Sequence, residues 1–180
     1  IMPIPTCVRC GDLKRLPLRT TSKPICFSPM NLSEAMASLA KLGNPQTKKT
    51  WESHGASGAF FGVKIGDMKV LLKKLKGRHD LALLLYGTEN LDAMYFAGLL
   101  ADGRQMTKKQ LDAWVKAARW KMIAEYTVPW VAAESPAARE IALEWMDSKH
   151  ENIASAGWNT YSVIVSMVPD SDLDLKEIET

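Results

Sequence analysis

The chain has 180 residues, 47% of them hydrophobic and 24% charged, with a net charge of +3. That length suits one domain, and that balance excludes a disordered chain. Three cysteines exclude a disulfide-stapled mini-protein, 11 glycines and 9 prolines exclude collagen-like and low-complexity architectures, and the longest apolar run, Leu81 to Tyr86, is far too short for a membrane span.

The small net charge conceals a strong polarity. Residues 64–121 carry twelve basic and six acidic side chains, whereas residues 122–180 carry three basic and eleven acidic ones. A middle section this basic either faces an anionic polymer or pairs with the acidic C-terminal part.

Residues 1–29 differ from the rest. Five prolines (Pro3, Pro5, Pro17, Pro24, Pro29) break any helical period. The expectation is a disordered or non-native leader, with translation beginning at Met30, where a helix start follows at once. Cys7 and Cys10, followed by Gly11, resemble half of a zinc knuckle. A closed site needs four ligands, and beyond Cys26 the next candidate is His54, so a pair of reduced cysteines is the alternative. His54, His79 and His150 are scattered without helical pairing, so no metal site and no acid–base role is inferred. No cofactor fingerprint is present: the chain has neither a P-loop nor a dinucleotide motif.

From Asn31 onward the chain reads as helices. Asn31-Leu-Ser-Glu34 is a capping box, opening a helix that runs to about Leu42 and stops at Gly43-Asn-Pro45. Asp67 can cap a second helix, in which Met68, Leu71, Leu72 and Leu75 form one stripe and Gly77 ends the run. A short apolar segment follows from Asp80 to Tyr86. Asn90 to about Ala101 is a helix with Leu91, Met94, Tyr95, Gly98 and Leu99 inward. Thr107-Lys-Lys-Gln110 is a second capping box, and its helix puts Leu111, Trp114, Val115 and Ala118 on one face. Pro129 suits the first turn of a short helix, and Ser135-Pro136 places a cap before a proline at the first position of the next. Asn152 to about Met167 is a further helix, and Asp170, Asp172 and Asp174 load the first turn of the last. Short links predict antiparallel neighbours, and pairs recurring at about 40 residues suggest an all-α, HEAT-like array whose concave face binds an extended partner.

Several stretches carry a resemblance. They are Gly62-Val-Lys-Ile65, Ala97-Gly-Leu-Leu-Ala-Asp102, Met106 to Trp114, Glu125-Tyr-Thr-Val-Pro-Trp-Val-Ala-Ala-Glu134, and Ala142-x-x-Trp-x-x-Ser148. Over residues 30–180 the chain resembles the HEAT-like (AlkD-type) bacterial DNA alkylation repair enzymes. Members of that family usually continue for further helices, so the chain looks C-terminally truncated. The resemblance implies a DNA glycosylase that hydrolyses the N-glycosidic bond of purines alkylated at N3 or N7, with a carboxylate stabilising the oxocarbenium-like sugar. It implies a basic face gripping the phosphates of double-stranded DNA containing alkylated bases, with no base-shaped pocket. A cytoplasmic, nucleoid-associated monomer with no membrane partner is the corresponding expectation.

The family's active helix carries two adjacent tryptophans and then two aspartates, the second catalytic. By resemblance Trp120 matches the first tryptophan, Lys121 stands where the second would be, and Glu125 stands at or near the catalytic aspartate, one methylene longer. Glu125 and Trp120 are therefore the catalytic candidates. An arginine of the family's following repeat falls near Gly157, beside Trp158. The DNA-binding candidates are Lys108, Lys109, Lys116, Arg119, Lys121 and Trp158. Each has a plainer reading: Lys121 and Glu125 make an i, i+4 helix pair, and the tryptophans fill gaps between helices. Three functions follow. They are a glycosylase, a catalytically silent DNA-binding module, and a protein-interaction scaffold whose basic stripe meets an acidic partner.

Overall fold

The computed structural model describes residues 30–178, so Cys7, Cys10, Cys26 and the rest of the leader lie outside the described residues. The elements run α1 (Leu32–Lys41), α2 (Pro45–Ser53), α3 (Ile65–Leu75), α4 (His79–Tyr86), α5 (Leu91–Leu100), α6 (Lys108–Ala117), a π-helical turn (Met122–Thr127), α7 (Val128–Ala133), α8 (Ala138–Met146), α9 (Glu151–Met167) and α10 (Leu175–Ile178), with single 3-10 turns at Gly103–Gln105 and Asp170–Asp172. Among the described residues there is no strand. One isolated antiparallel bridge joins Gly43 to Val63. The fold is all-α and HEAT-like, as the helical periods predict.

Local chemistry explains most of the boundaries. Asn31 Oδ1 accepts from the Glu34 amide at 3.0 Å while Asn31 N–H donates to Glu34 at 2.9 Å. The Thr107–Gln110 box closes the same way at the start of α6. Gly77, just beyond α3, takes φ +86°, a left-handed conformation that a residue with a Cβ adopts only under strain.

Three boundaries differ from those the sequence suggests. Helix α2 occupies a stretch without an apolar period. Asn44 caps it through the amides of Gln46 and Thr47, with Pro45 at its first position. Asp67 does not cap α3: the N-cap is Lys64, and Asp67 lies within the first turn, where its charge suits the dipole. Ser135 and Pro136 precede α8 but do not open it. Ser135 Oγ accepts from the Ala137 amide, and the helix begins at Ala138.

One continuous core runs from Ala35 on α1 to Ala156 on α9. Helix α5 lies at its centre, buried at every position from Leu91 to Ala97. That includes Asp92, fully enclosed, which accepts backbone N–H donors from Phe61 (2.5 Å), Gly62 (3.1 Å) and Val63 (2.7 Å). Burial pushes the Asp92 carboxyl above the usual range, and the three amides pull against that shift. The result ties the loop before α3 to the central helix. The same loop touches α2 so closely that a Cβ on Gly62 would lie 2.6 Å from the Lys48 nitrogen. Asp92 and Gly62 together therefore set where α2 sits.

Candidate nucleic-acid interface

Helix α2 and the segment after α6 face each other across a cleft of about 450 Å³. Thr50, Trp51 and His54 line one side, and Trp120, Lys121, Met122 and Tyr126 the other. Its floor is aromatic. Trp51 packs on Trp120 with centroids 4.9 Å apart and stacks on Phe60 at 6.1 Å. Tyr126, nearly half exposed, meets Trp130 edge-on at 6.1 Å, and Trp130 meets the buried Tyr95 the same way at 6.3 Å. Tyr126 thus lines the cleft while its ring also contacts Trp130.

The π turn shapes the second wall. Pro129 has no N–H to offer the Glu125 carbonyl four residues back, and its ring would crowd that carbonyl in an α-helix. The backbone widens over Met122–Thr127 instead, and the Thr127 hydroxyl donates to the Met122 carbonyl at 3.3 Å. The turn leads directly into α7, where Pro129 occupies the first turn of a short helix, as the sequence predicts.

The catalytic candidates stand differently from one another. Trp120 is only 6% exposed, and its indole N–H donates to the His54 carbonyl at 3.0 Å. It braces the cleft and offers no free ring face. Glu125, with 26% of its side chain exposed, accepts from Ser155 Oγ on α9 at 3.2 Å, and Lys121 Nζ lies 4.0 Å from the same oxygen.

The DNA-binding candidates also divide. Lys108 is claimed by two carboxylates: its ammonium donates to Glu140 at 2.8 Å and to Glu144, and both raise its pKa. A phosphate would have to displace them, so the structure removes Lys108 from the free set. Lys109, Lys116 and Arg119 are exposed and make no ion pair among the described residues, and Lys121 has only the long contact to Glu125. Trp158 is 64% exposed, one turn along α9 from Ser155. Its neighbour Gly157 faces α8, where a Cβ would come within 2.5 Å of the Met146 nitrogen. The family's arginine has no room at that position in this backbone.

Two further cations of the basic section are engaged locally. Arg78 grips Asp80 through two bonds of 2.8 and 2.7 Å, and Arg104 grips Asp102 at 2.9 and 3.0 Å. His79 is structural, its Nδ1 accepting from the Asp102 amide at 3.2 Å. Sequence reasoning missed Asp92 and the α2 wall. The signals for them were a lone carboxylate within an apolar helix and the Asn44-Pro45 cap.

The described residues form a HEAT-like helical array with an aromatic cleft edged by cations, and comparison with known proteins places its family. The sequence profile of the DNA alkylation repair enzymes matches residues 35–179, so the chain belongs to that family. Two curated relatives, uncharacterized proteins of Listeria innocua and Listeria monocytogenes, are each 29% identical to it over 140 residues, covering 74% of this chain and 62% of theirs. A solved structure superposes with a TM-score of 0.79 at 37% identity over 83% of this chain and 64% of its own. It is described as a new family of proteins related to the HEAT-like repeat DNA glycosylases with affinity for branched DNA structures. The chain spans less than two-thirds of the length of these relatives. No helix among the described residues is long and apolar enough to cross a membrane.

Proposed function

We propose that the protein binds DNA at branched or locally opened sites, with Lys109, Lys116, Arg119 and Lys121 contacting phosphates and Trp158 adding an exposed aromatic surface. The observation that carries this reading is the run Lys116, Arg119, Lys121: three exposed cations that lead from the end of α6 to the mouth of the aromatic cleft. Phosphates meet them without displacing a close carboxylate, and the released counterions drive binding. The solved relative's affinity for branched DNA supports the choice of substrate. Binding ranks above base excision because Trp120 is enclosed and Glu125 is already answered by Ser155 and Lys121. Anisotropy titrations with a three-way junction and a linear duplex of equal length test the reading. Tighter junction binding that weakens steeply with salt is expected. Equal, salt-insensitive binding would favour the scaffold function instead.

A second reading is glycosylase action on N3- or N7-alkylated purines, with Glu125 stabilising the sugar cation. One observation favours it: Glu125 keeps a carboxylate on the widened turn beside the cleft, partly open to solvent. The test is release of 7-methylguanine or 3-methyladenine from methylated duplex DNA. Release by the wild type and its loss in Glu125→Gln would establish the reaction, and no release with DNA binding intact leaves the binding function alone.

A further inference from the structure

We infer that the cleft between α2 and the π turn is a seat for one unpaired nucleobase, so that the protein recognises a base lacking a Watson–Crick partner rather than backbone shape alone. This rests on the DNA-binding reading above. The cleft's volume of about 450 Å³ lies within the range of about 300–1,000 Å³ that holds compact ligands. Its walls match a base in chemistry. Tyr126 offers an exposed ring face, fixed in orientation by Trp130 and, behind that, by Tyr95. Met122 and the largely buried Trp51 and Trp120 line an apolar floor. An aromatic face accepts any base by stacking, which suits recognition of a defect over a sequence.

The rim supplies the other half of a nucleotide. Lys121 lines the cleft, with two-thirds of its side chain exposed, and Arg119 is exposed two residues earlier. A base seated against Tyr126 therefore brings its own phosphate toward a cation. A neutral apolar ligand would use the floor and leave this rim without a role. Tyr126 and His54, both in the lining, carry polar groups that a base can meet and a hydrocarbon cannot.

The test compares two duplexes that differ by one base. Each carries a single-nucleotide bulge; in one the bulged residue bears its base, in the other it is a tetrahydrofuran abasic analogue. Binding of the full chain is measured by fluorescence anisotropy at one salt concentration. The base-bearing bulge is expected to bind about tenfold more tightly, as one stacked base contributes. Tyr126→Ala removes the stacking wall, and Thr50→Trp fills the cleft from its exposed lip. Both positions are exposed, so both variants keep the fold, and both are expected to erase the difference while abasic-bulge affinity persists. Equal affinity of the wild type for the two bulges overturns the seat, as does a difference that survives Thr50→Trp. If junctions bind but the bulges are equivalent, the seat alone fails. If neither junctions nor bulges bind at low salt, the DNA-binding reading fails with it.

Discussion

The two ends of α6 carry similar charge and do different things with it. At the N-terminal end Lys108 is held by Glu140 and Glu144, only its neighbouring cation Lys109 stays exposed, and the next turn is fastened to α8 where the Trp145 indole donates to Asp112 at 2.9 Å. At the C-terminal end Asn152 donates to the Ala118 carbonyl at 3.4 Å, and Lys116, Arg119 and Lys121 stand exposed beside the cleft. A count of cations along the chain treats these as one basic stripe. The structure divides them into a set that joins helices and a set that faces solvent. Exposed lysine–carboxylate pairs add little stability, so the clamp at Lys108 acts chiefly to cancel charge on one flank.

Four experiments, in falling order of expected effect, can break or sharpen that division. The largest separates the tryptophans beside the open end. Trp120→Ala removes a buried indole and is expected to cost about 3–5 kcal/mol in urea unfolding, whereas Trp158→Ala is expected to stay within about 0.5 kcal/mol and to weaken DNA binding instead. Equal destabilisation by both would refute the assignment of Trp158 to a binding surface. Next, replacing Lys116, Arg119 and Lys121 together by alanine is expected to reduce the slope of log affinity against log salt by about 0.9 for each phosphate that is no longer neutralised. Lys108→Ala, at the pinned end, is expected to leave that slope unchanged and to shift stability by less than about 1 kcal/mol. A slope change in Lys108→Ala as large as one whole phosphate would erase the distinction between the two ends.

The smallest effect concerns pH. The Arg78 guanidinium holds the Asp80 carboxyl at about 2, below its ordinary 3.8. The folded state thus favours the ionised form, so the pair's contribution is present above pH 3.8 and is lost as pH falls through about 2. Carboxyl carbon NMR should place the Asp80 titration near 2. A midpoint at the ordinary 3.8 would show that Arg78 is free to act with the solvent-facing set.

Residues close in sequence make most of the fold legible. Both capping boxes form, Gly77 takes the left-handed conformation, and the buried faces of α3 and α6 are those their periods mark. What stays hidden depends on partners far along the chain. Trp120 is enclosed by Trp51 and by the His54 carbonyl, and Lys108 is neutralised by carboxylates 32 and 36 residues later. Helix α2 buries only Trp51, so its nine residues carry no apolar period to read. The site is legible in part: the stretch from Arg119 to Tyr126 stands out by its resemblance, but the residue with the exposed ring is Tyr126 and not Trp120. Resemblance matches letters along one helix and cannot see that its backbone widens.

That widening works as a register device. A π turn holds one residue more than the α-helix it interrupts. Deleting a single residue between Met122 and Thr127 would return the run to α geometry and rotate everything before the deletion by about 100° relative to α7. Tyr126 would then no longer share the cleft with Trp51. A gene library with single-codon deletions would show this as a sharp boundary: shortening is tolerated in the α8–α9 link and destroys recognition here, even in chains that still fold.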